Sequence, residues 1–305
     1  MKPRSEIITL LVMLLLLPSI VFGQALFQGV DYPVNASGWA MGSAVTGLVS
    51  NAGIQLNPAL LSRLNSNFHA NYTSFILDIS SSTASAVFNL PVKGKFYSSV
   101  QYLDYGNFKE RDTEGNSLGE FSVSDMGFSI GYGVPLTERL NIGLSTVFVN
   151  STLSSYKASA VLGTVGLLYY DPETTWSVGV SIHNFGKLLS GFINDDESIH
   201  RKTMIGVSKK LEHLPLVIAY DVYQAYDKEW IFRLGGEFII TDNMFLRLGS
   251  SSRRFDISAQ QTFVNFLAGS SAGIGIKFNK SLLDLALVSL GNAGIISSFS
   301  ITRML

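Results

Sequence analysis

From Asn67 onward, apolar residues recur at every second position over stretches of about ten residues. Between 125 and 134, one set is Met126, Phe128, Ile130, Tyr132 and Val134, and the other is Asp125, Gly127, Ser129, Gly131 and Gly133. Successive side chains of a strand point to opposite faces, so this stretch is a strand with one oily and one small, polar face. Leu140, Ile142, Leu144, Thr146 and Phe148 repeat the pattern, as do Trp176, Val178, Val180 and Ile182, then Trp230, Phe232, Leu234, Phe238 and Ile240. A soluble sandwich turns its oily faces inward and covers its outside with charge, using strands of about five or six residues. Here the other faces are mostly Gly, Ser, Thr and Asn, and only 15% of the chain is charged, against about 25% for an average soluble domain. In a transmembrane barrel the oily face meets lipid and the polar face meets the lumen. Closure also pairs every strand edge, as lipid requires. Mean hydropathy is +0.28, yet the one long apolar run is 7–21, and a helical membrane protein needs several runs of roughly 20. The pattern predicts an all-β fold, a transmembrane antiparallel β-barrel.

Turn signals predict fourteen strands, near 67–77, 82–90, 95–105, 120–134, 138–150, 157–170, 175–184, 201–210, 214–224, 229–240, 243–252, 266–278, 281–290 and 294–304. Tight turns at 91–94, 135–139, 171–175, 211–213, 241–243 and 279–280 alternate with longer polar loops at 106–119, 151–156, 185–200 and 253–265. Short turns mark a periplasmic rim and long loops the cell surface. Tyr102, Tyr105, Tyr169, Tyr170, Trp176 and Trp230 near strand ends match aromatic belts at the lipid headgroups.

The N-terminus carries Lys2 and Arg4, an apolar run at 7–17 and Val21-Phe22-Gly23 before Gln24. That order predicts a cleaved signal peptide over 1–23 and a chain exported to the outer membrane of a Gram-negative-type cell. Removing Lys2, Arg4 and Glu6 takes the formal charge only from −1 to −2, which leaves no nucleic-acid footprint. The chain has no cysteine, so disulfides and thiolate metal sites are excluded. Residues 24–66 break the alternation: Gly38, Gly42, Gly47 and Gly53 punctuate small residues ahead of a turn at 58–64. Two readings of this segment stand, a periplasmic leader and a plug or hatch folded into the lumen, ahead of a barrel over 67–305.

Chemistry-bearing patterns are few. Gly269-Ser270-Ser271-Ala272-Gly273 fits the nucleophile-elbow pattern, but Ile274, Ile276 and Phe278 continue the alternation where a helix is required. The imidazoles are His69, His183, His200 and His213, and Ser177 and Ser181 share the face of His183. Asp195-Asp196-Glu197 near His200 lacks the spacing of a calcium loop and reads as an exposed acidic loop. Asp221, Arg233, Glu237, Arg247, Lys277 and Asp284 are lumen-side charges, to be read as a selectivity ring or as internal salt bridges. The sequence predicts no catalytic residue, cofactor or metal.

Ala40-Met41-Gly42-Ser43-Ala44, followed by Asn57-Pro58-Ala59-Leu60-Leu61, is similar to the glycine-rich segment and Asn-Pro-Ala motif of the PorV/PorQ family of outer-membrane barrels, related in fold to the FadL-type transporters. Tyr102-Leu103-Asp104-Tyr105-Gly106-Asn107-Phe108, Gly115-Asn116 and Phe121-Ser122-Val123-Ser124-Asp125 resemble the second surface loop of its PorQ branch. Gly206-Val207-Ser208-Lys209-Lys210-Leu211-Glu212-His213-Leu214-Pro215-Leu216 is the most specific run. The stretch 45–56 departs from the family in lacking acidic residues. The resemblance implies a non-enzymatic, fourteen-stranded component of the type IX secretion system. Its partners would be outer-membrane lipid and lipopolysaccharide, a surface protein of the PorZ type and the sortase/attachment complex. Surface-loop candidates for partner binding are Tyr105, Asn107, Phe108, Asn116, Asp195, Asp196, Arg253 and Arg254, and the plug motif is Asn57, Pro58 and Ala59. The alternative is a FadL-like channel for small hydrophobic compounds.

Overall fold

The structure, a computed structural model, describes residues 27, 29, 32–89, 91–111, 113–114, 116–192, 199, 201–225, 228–253 and 266–305. The predicted signal peptide, and Asp195, Asp196, His200 and Arg254, lie outside the described residues.

The strands are β1 (Asn67–Ser74), β2 (Ser80–Asn89), β3 (Lys95–Arg111), β4 (Ser117–Pro135), β5 (Leu140–Leu153), β6 (Tyr156–Tyr170), β7 (Trp176–Ser190), β8 (Lys202–Lys210), β9 (Leu216–Gln224), β10 (Trp230–Thr241), β11 (Met244–Ser251), β12 (Ser270–Phe278), β13 (Ser281–Ser289) and β14 (Ile295–Met304). Each pairs antiparallel with its sequence neighbours, and β1 closes the sheet on β14, from Asn67 opposite Met304 to Ser74 opposite Ser297. The result is a closed fourteen-stranded barrel. Its burial is inverted relative to a soluble protein: Met126 and Phe128 are exposed, while Asp125, Gly127, Ser129 and Gly131 between them are buried. The oily faces turn outward all round, which places the small, polar faces inside.

Three predicted loops are shorter than expected. The hairpin of β3 and β4 runs on through most of 106–119, β3 ending at Arg111 and β4 starting at Ser117. Lys109 pairs with Glu120, and the rings of Phe108 and Phe121 stack at 5.6 Å. Polar residues signalled a loop there, but strands that rise out of lipid into water have no oily face to display. The loop at 151–156 is a two-residue turn, with Ser154 at φ +56. Strand β7 continues through 185–190 past a register break against β6. Tyr102, Tyr169, Trp176 and Trp230 face outward, as a belt requires. Tyr105 and Tyr170 share the parity of the buried Leu103 and Leu168 and turn inward, a correction to the predicted belt.

Candidate functional site

Residues 34–63 contact inward-facing residues of the barrel wall. An α-helix, α1 (Ala36–Ala40), is capped by Asn35, whose side chain accepts from Ser37 N at 2.8 Å, satisfying a donor that the helix leaves free. A 3-10 helix over Pro58–Arg63 starts at a proline, a residue suited to a first helical position. Asn57 caps it through Oδ1, which accepts from Ala59 N at 3.1 Å.

Inward glycines on eight strands receive this segment. A Cβ on Gly143 of β5 would lie 2.2 Å from the carbonyl carbon of Pro58, and one on Gly166 of β6 would lie 2.0 Å from Asn57 Oδ1. A Cβ on Gly179 of β7, Gly206 of β8, Gly235 of β10, Gly249 of β11 or Gly273 of β12 would come within 2.1–2.6 Å of residues 40–47, and one on Gly133 of β4 within 2.7 Å of Pro58 O and Leu61 Cβ. Contacts distributed over so many strands are available only from inside the barrel. Polar wall residues then engage the segment's backbone. Asp221 Oδ2 on β9 accepts from the amides of Val45 and Thr46, each at 2.9 Å. Ser208 Oγ donates to Gly47 O at 3.0 Å, and Ser271 Oγ donates to Ala40 O at 2.9 Å. His69 Nε2 lies 2.8 Å from Val34 O. Asn57 Nδ2 bridges Thr46 O and Leu167 O, at 2.9 and 3.1 Å, so the Asn-Pro-Ala motif ties the two halves of the segment to the wall.

The lumen differs on the two sides of the segment. Toward the rim of long connections, the inner wall of β5 and β6 is apolar: Val149, Ala158, Ala160 and Leu162 pack with Phe27, and Val147, Leu188 and Phe192 extend the cluster. Met204, Tyr223 and Ile231 continue this lining across β8 to β10 against Met41, Val45 and Leu56. Toward the rim of short turns lies a cavity of about 420 Å³ with a mixed wall, in which Leu48, Leu64 and Phe245 stand beside Ser177, Glu237 and Arg247. There Arg247 is held between Glu237 and Asp284, at 2.6 and 2.5 Å. Arg233 lies higher, donating to Tyr223 Oη at 3.0 Å and to Ser43 O at 3.3 Å. Five of the six lumen charges therefore serve the wall or the segment, and Lys277 is exposed.

The remaining sequence candidates fall apart spatially. Tyr105 donates to Asp125 Oδ2 at 2.9 Å, turned toward the interior and away from a surface partner. Asn107 and Phe108 are exposed on the protruding hairpin, and Asn116 is at its tip. Arg253 lies just beyond β11. Ser271 sits within β12 rather than on a strand-to-helix turn, which removes the elbow geometry. Ser181 Oγ and His183 Nε2 lie 2.8 Å apart inside the wall. Among the described residues no group of three or more His, Asp or Glu is arranged to hold a metal ion. Sequence reasoning missed the glycine seats and the anchoring role of Asp221, although the inward parity of those glycines was readable.

No family model matches the chain, and no curated protein matches it in sequence. Solved structures do match. The Ralstonia pickettii toluene transporter TbuX aligns over 89% of this chain and 98% of its own, with TM-score 0.61 at 14% identity. The Pseudomonas putida toluene transporter TodX aligns over 93% and 99%, with TM-score 0.62 at 15% identity. A Pseudomonas aeruginosa FadL homologue aligns over 90% and 98%, with TM-score 0.55 at 10% identity. The chain therefore has the fold of the FadL-like fourteen-stranded barrels.

Proposed function

We propose that the chain is an outer-membrane channel for small hydrophobic compounds, in which residues 24–66 form a hatch and residues 1–23 direct export. The observation that carries this reading is the apolar inner wall toward the long connections. Val149, Ala160, Leu162, Met204 and Ile231 are inward-facing there and are buried against Phe27, Met41, Val45 and Leu56 of the segment. Release of the segment would bare this wall, and an apolar compound gains about 25 cal/mol per Å² of surface removed from water on it. The described neighbours TbuX and TodX carry toluene, which supports the same class of cargo. The chemistry needs no catalytic group, cofactor or metal. Uptake of a monoaromatic hydrocarbon into proteoliposomes tests it: the full chain gives saturable uptake and a chain lacking 24–66 gives faster uptake. No uptake by either form rejects the channel.

A second reading is favoured by one feature. The β3–β4 hairpin rises past the barrel with Phe108 and Phe121 stacked and Phe108 exposed, and its sequence carries the PorQ resemblance. In that reading the barrel is a non-enzymatic type IX component, and the hairpin holds a PorZ-like protein near the sortase/attachment complex. Affinity capture from detergent-solubilised outer membrane, with and without 106–119, tests it. Recovery of sortase-complex proteins only with the hairpin supports the scaffold, and recovery of the barrel alone counts against it.

A further inference from the structure

The lipid-facing surface is not uniformly convex. One row across four strands reads Ile130 on β4, Thr146 on β5, Gly163 on β6 and Phe185 on β7, each paired with the next. The two central residues are small, and their neighbours Leu144 and Val161 are large and exposed. The Phe185 ring covers Gly163, where a Cβ would come 2.5 Å from Phe185 Cε2, and so one wall of the groove is aromatic and Thr146 forms its floor. Thr146 Oγ1 donates to Leu162 O at 3.2 Å, so the floor has its hydroxyl satisfied and offers apolar surface. The outcome is an open groove of about 580 Å³ with an almost wholly apolar lining, and Lys187 stands at one end.

Depth decides what fits. Trp176 marks the interface at the rim of short turns, and Lys187 lies eleven residues further along β7. At about 3.3 Å per residue this is about 36 Å of strand. Membrane-barrel tilt reduces it to about 27 Å of height, close to the apolar band of about 25 Å. Lys187 is thus level with the far headgroups. It pairs with Val161, and Lys157 lies further up the same outward row of β6, also exposed. Two cations stacked above an acyl-sized groove match a lipid with more than one anionic group on its head.

We propose that this groove is a specific site for the lipid A portion of lipopolysaccharide, one acyl chain lying over Thr146 beside the Phe185 ring and the phosphates meeting Lys187 and Lys157. The proposal rests on the outer-membrane reading, which puts the long-connection rim in the outer leaflet, but not on whether the lumen conducts. The test is native mass spectrometry of the purified full chain in detergent, titrated with bisphosphorylated lipid A, dephosphorylated lipid A or phosphatidylglycerol. The expected result is one retained lipid A. Lys187→Gln weakens retention about fivefold and Lys187→Glu more, since each lysine near an anionic lipid surface contributes about that factor. Thr146→Leu, which fills the floor without touching a charge, also weakens it. Equal retention by the wild type and both kinds of variant overturns the site. Retention of phosphatidylglycerol as strong as that of lipid A overturns the choice of lipid, and equal retention of dephosphorylated lipid A overturns the role of the lysines. Hydrocarbon uptake by Lys187→Glu stays at the wild-type rate, so loss of uptake elsewhere cannot be mistaken for loss of this site.

Discussion

Replacing Asp221 by alanine removes one oxygen on which two buried amides depend. Val45 and Thr46 are fully buried, and both donate to Asp221 Oδ2 at 2.9 Å. A hydrogen bond to a charged group is worth about 1.5–3 kcal/mol, so the pair accounts for about 3–6 kcal/mol of docking. At about 1.4 kcal/mol per decade, the undocked population rises by about two to four decades. Hydrogen exchange of the full chain in nanodiscs reads this directly. Peptides covering 38–57 lose protection by that factor in Asp221→Ala, while strand amides far from β9 keep theirs because the sheet ladder is untouched. Asp221→Asn retains a carbonyl oxygen to accept from both amides and loses only the charge, so its effect is about half as large or smaller. Unchanged protection over 38–57 in Asp221→Ala would refute the assignment of Asp221 as the anchor.

Three further outcomes follow from the same geometry. Gly143→Leu drives a side chain into the backbone of Pro58. Overpacking of this kind costs about 1–3 kcal/mol, and limited proteolysis of 24–66 should accelerate while the barrel keeps its heat-modifiable mobility. Arg247→Leu strands the buried Asp284 without its cation, a loss of about 3–5 kcal/mol that the double change Arg247→Leu, Asp284→Leu largely restores, as read by urea unfolding. In the short turn after β6, the Asp171 carboxyl is held below the usual carboxylate range, first by the hydrogen bond from Thr174 Oγ1 at 2.9 Å and also by Arg139 at 3.5 Å. Because the folded value is depressed, its contribution is present above the ordinary carboxylate range and is lost as pH falls through the folded value. Thr174→Ala moves the titration of Asp171 upward by carboxylate NMR, and no movement would remove the hydroxyl as the cause.

How much of this was legible in the sequence follows from what each signal reports. Alternation reports a two-faced surface, so Asp125 to Val134 revealed the strand, its lipid face and its lumen face together. All fourteen strands were found because turn residues are needed at both rims. Polarity failed as a loop signal at 106–119 because Lys109 and Glu120 pair above the membrane, where both faces of a strand are wet. It also failed at Val147 and Val149, which are apolar on the inner face and so broke no visible rule, yet they line the apolar side of the lumen. Gly143, Gly166 and Gly206 were visible as small residues, but Pro58, Asn57 and Gly47 seated on them are 85, 109 and 159 residues away in sequence, and no local pattern encodes such a contact. The buried grouping of Arg247, Glu237 and Asp284 was legible only as a set of inward charges, since register across β10 to β13 decides which of them meet.

The central claim is that the N-terminal segment gates the lumen, and the absence of cysteine allows a direct test. Ser300 Oγ on β14 accepts from Ala36 N at 3.4 Å, so the two side chains are neighbours and Ser300→Cys adds no bulk to the wall. Ala36→Cys with Ser300→Cys therefore ties the segment to β14 when oxidised. Uptake of a monoaromatic hydrocarbon by proteoliposomes should fall to background on oxidation and return on reduction, with both single variants insensitive to either reagent. Equal uptake by the oxidised and reduced forms, with the crosslink verified by mass spectrometry, would contradict the gating account.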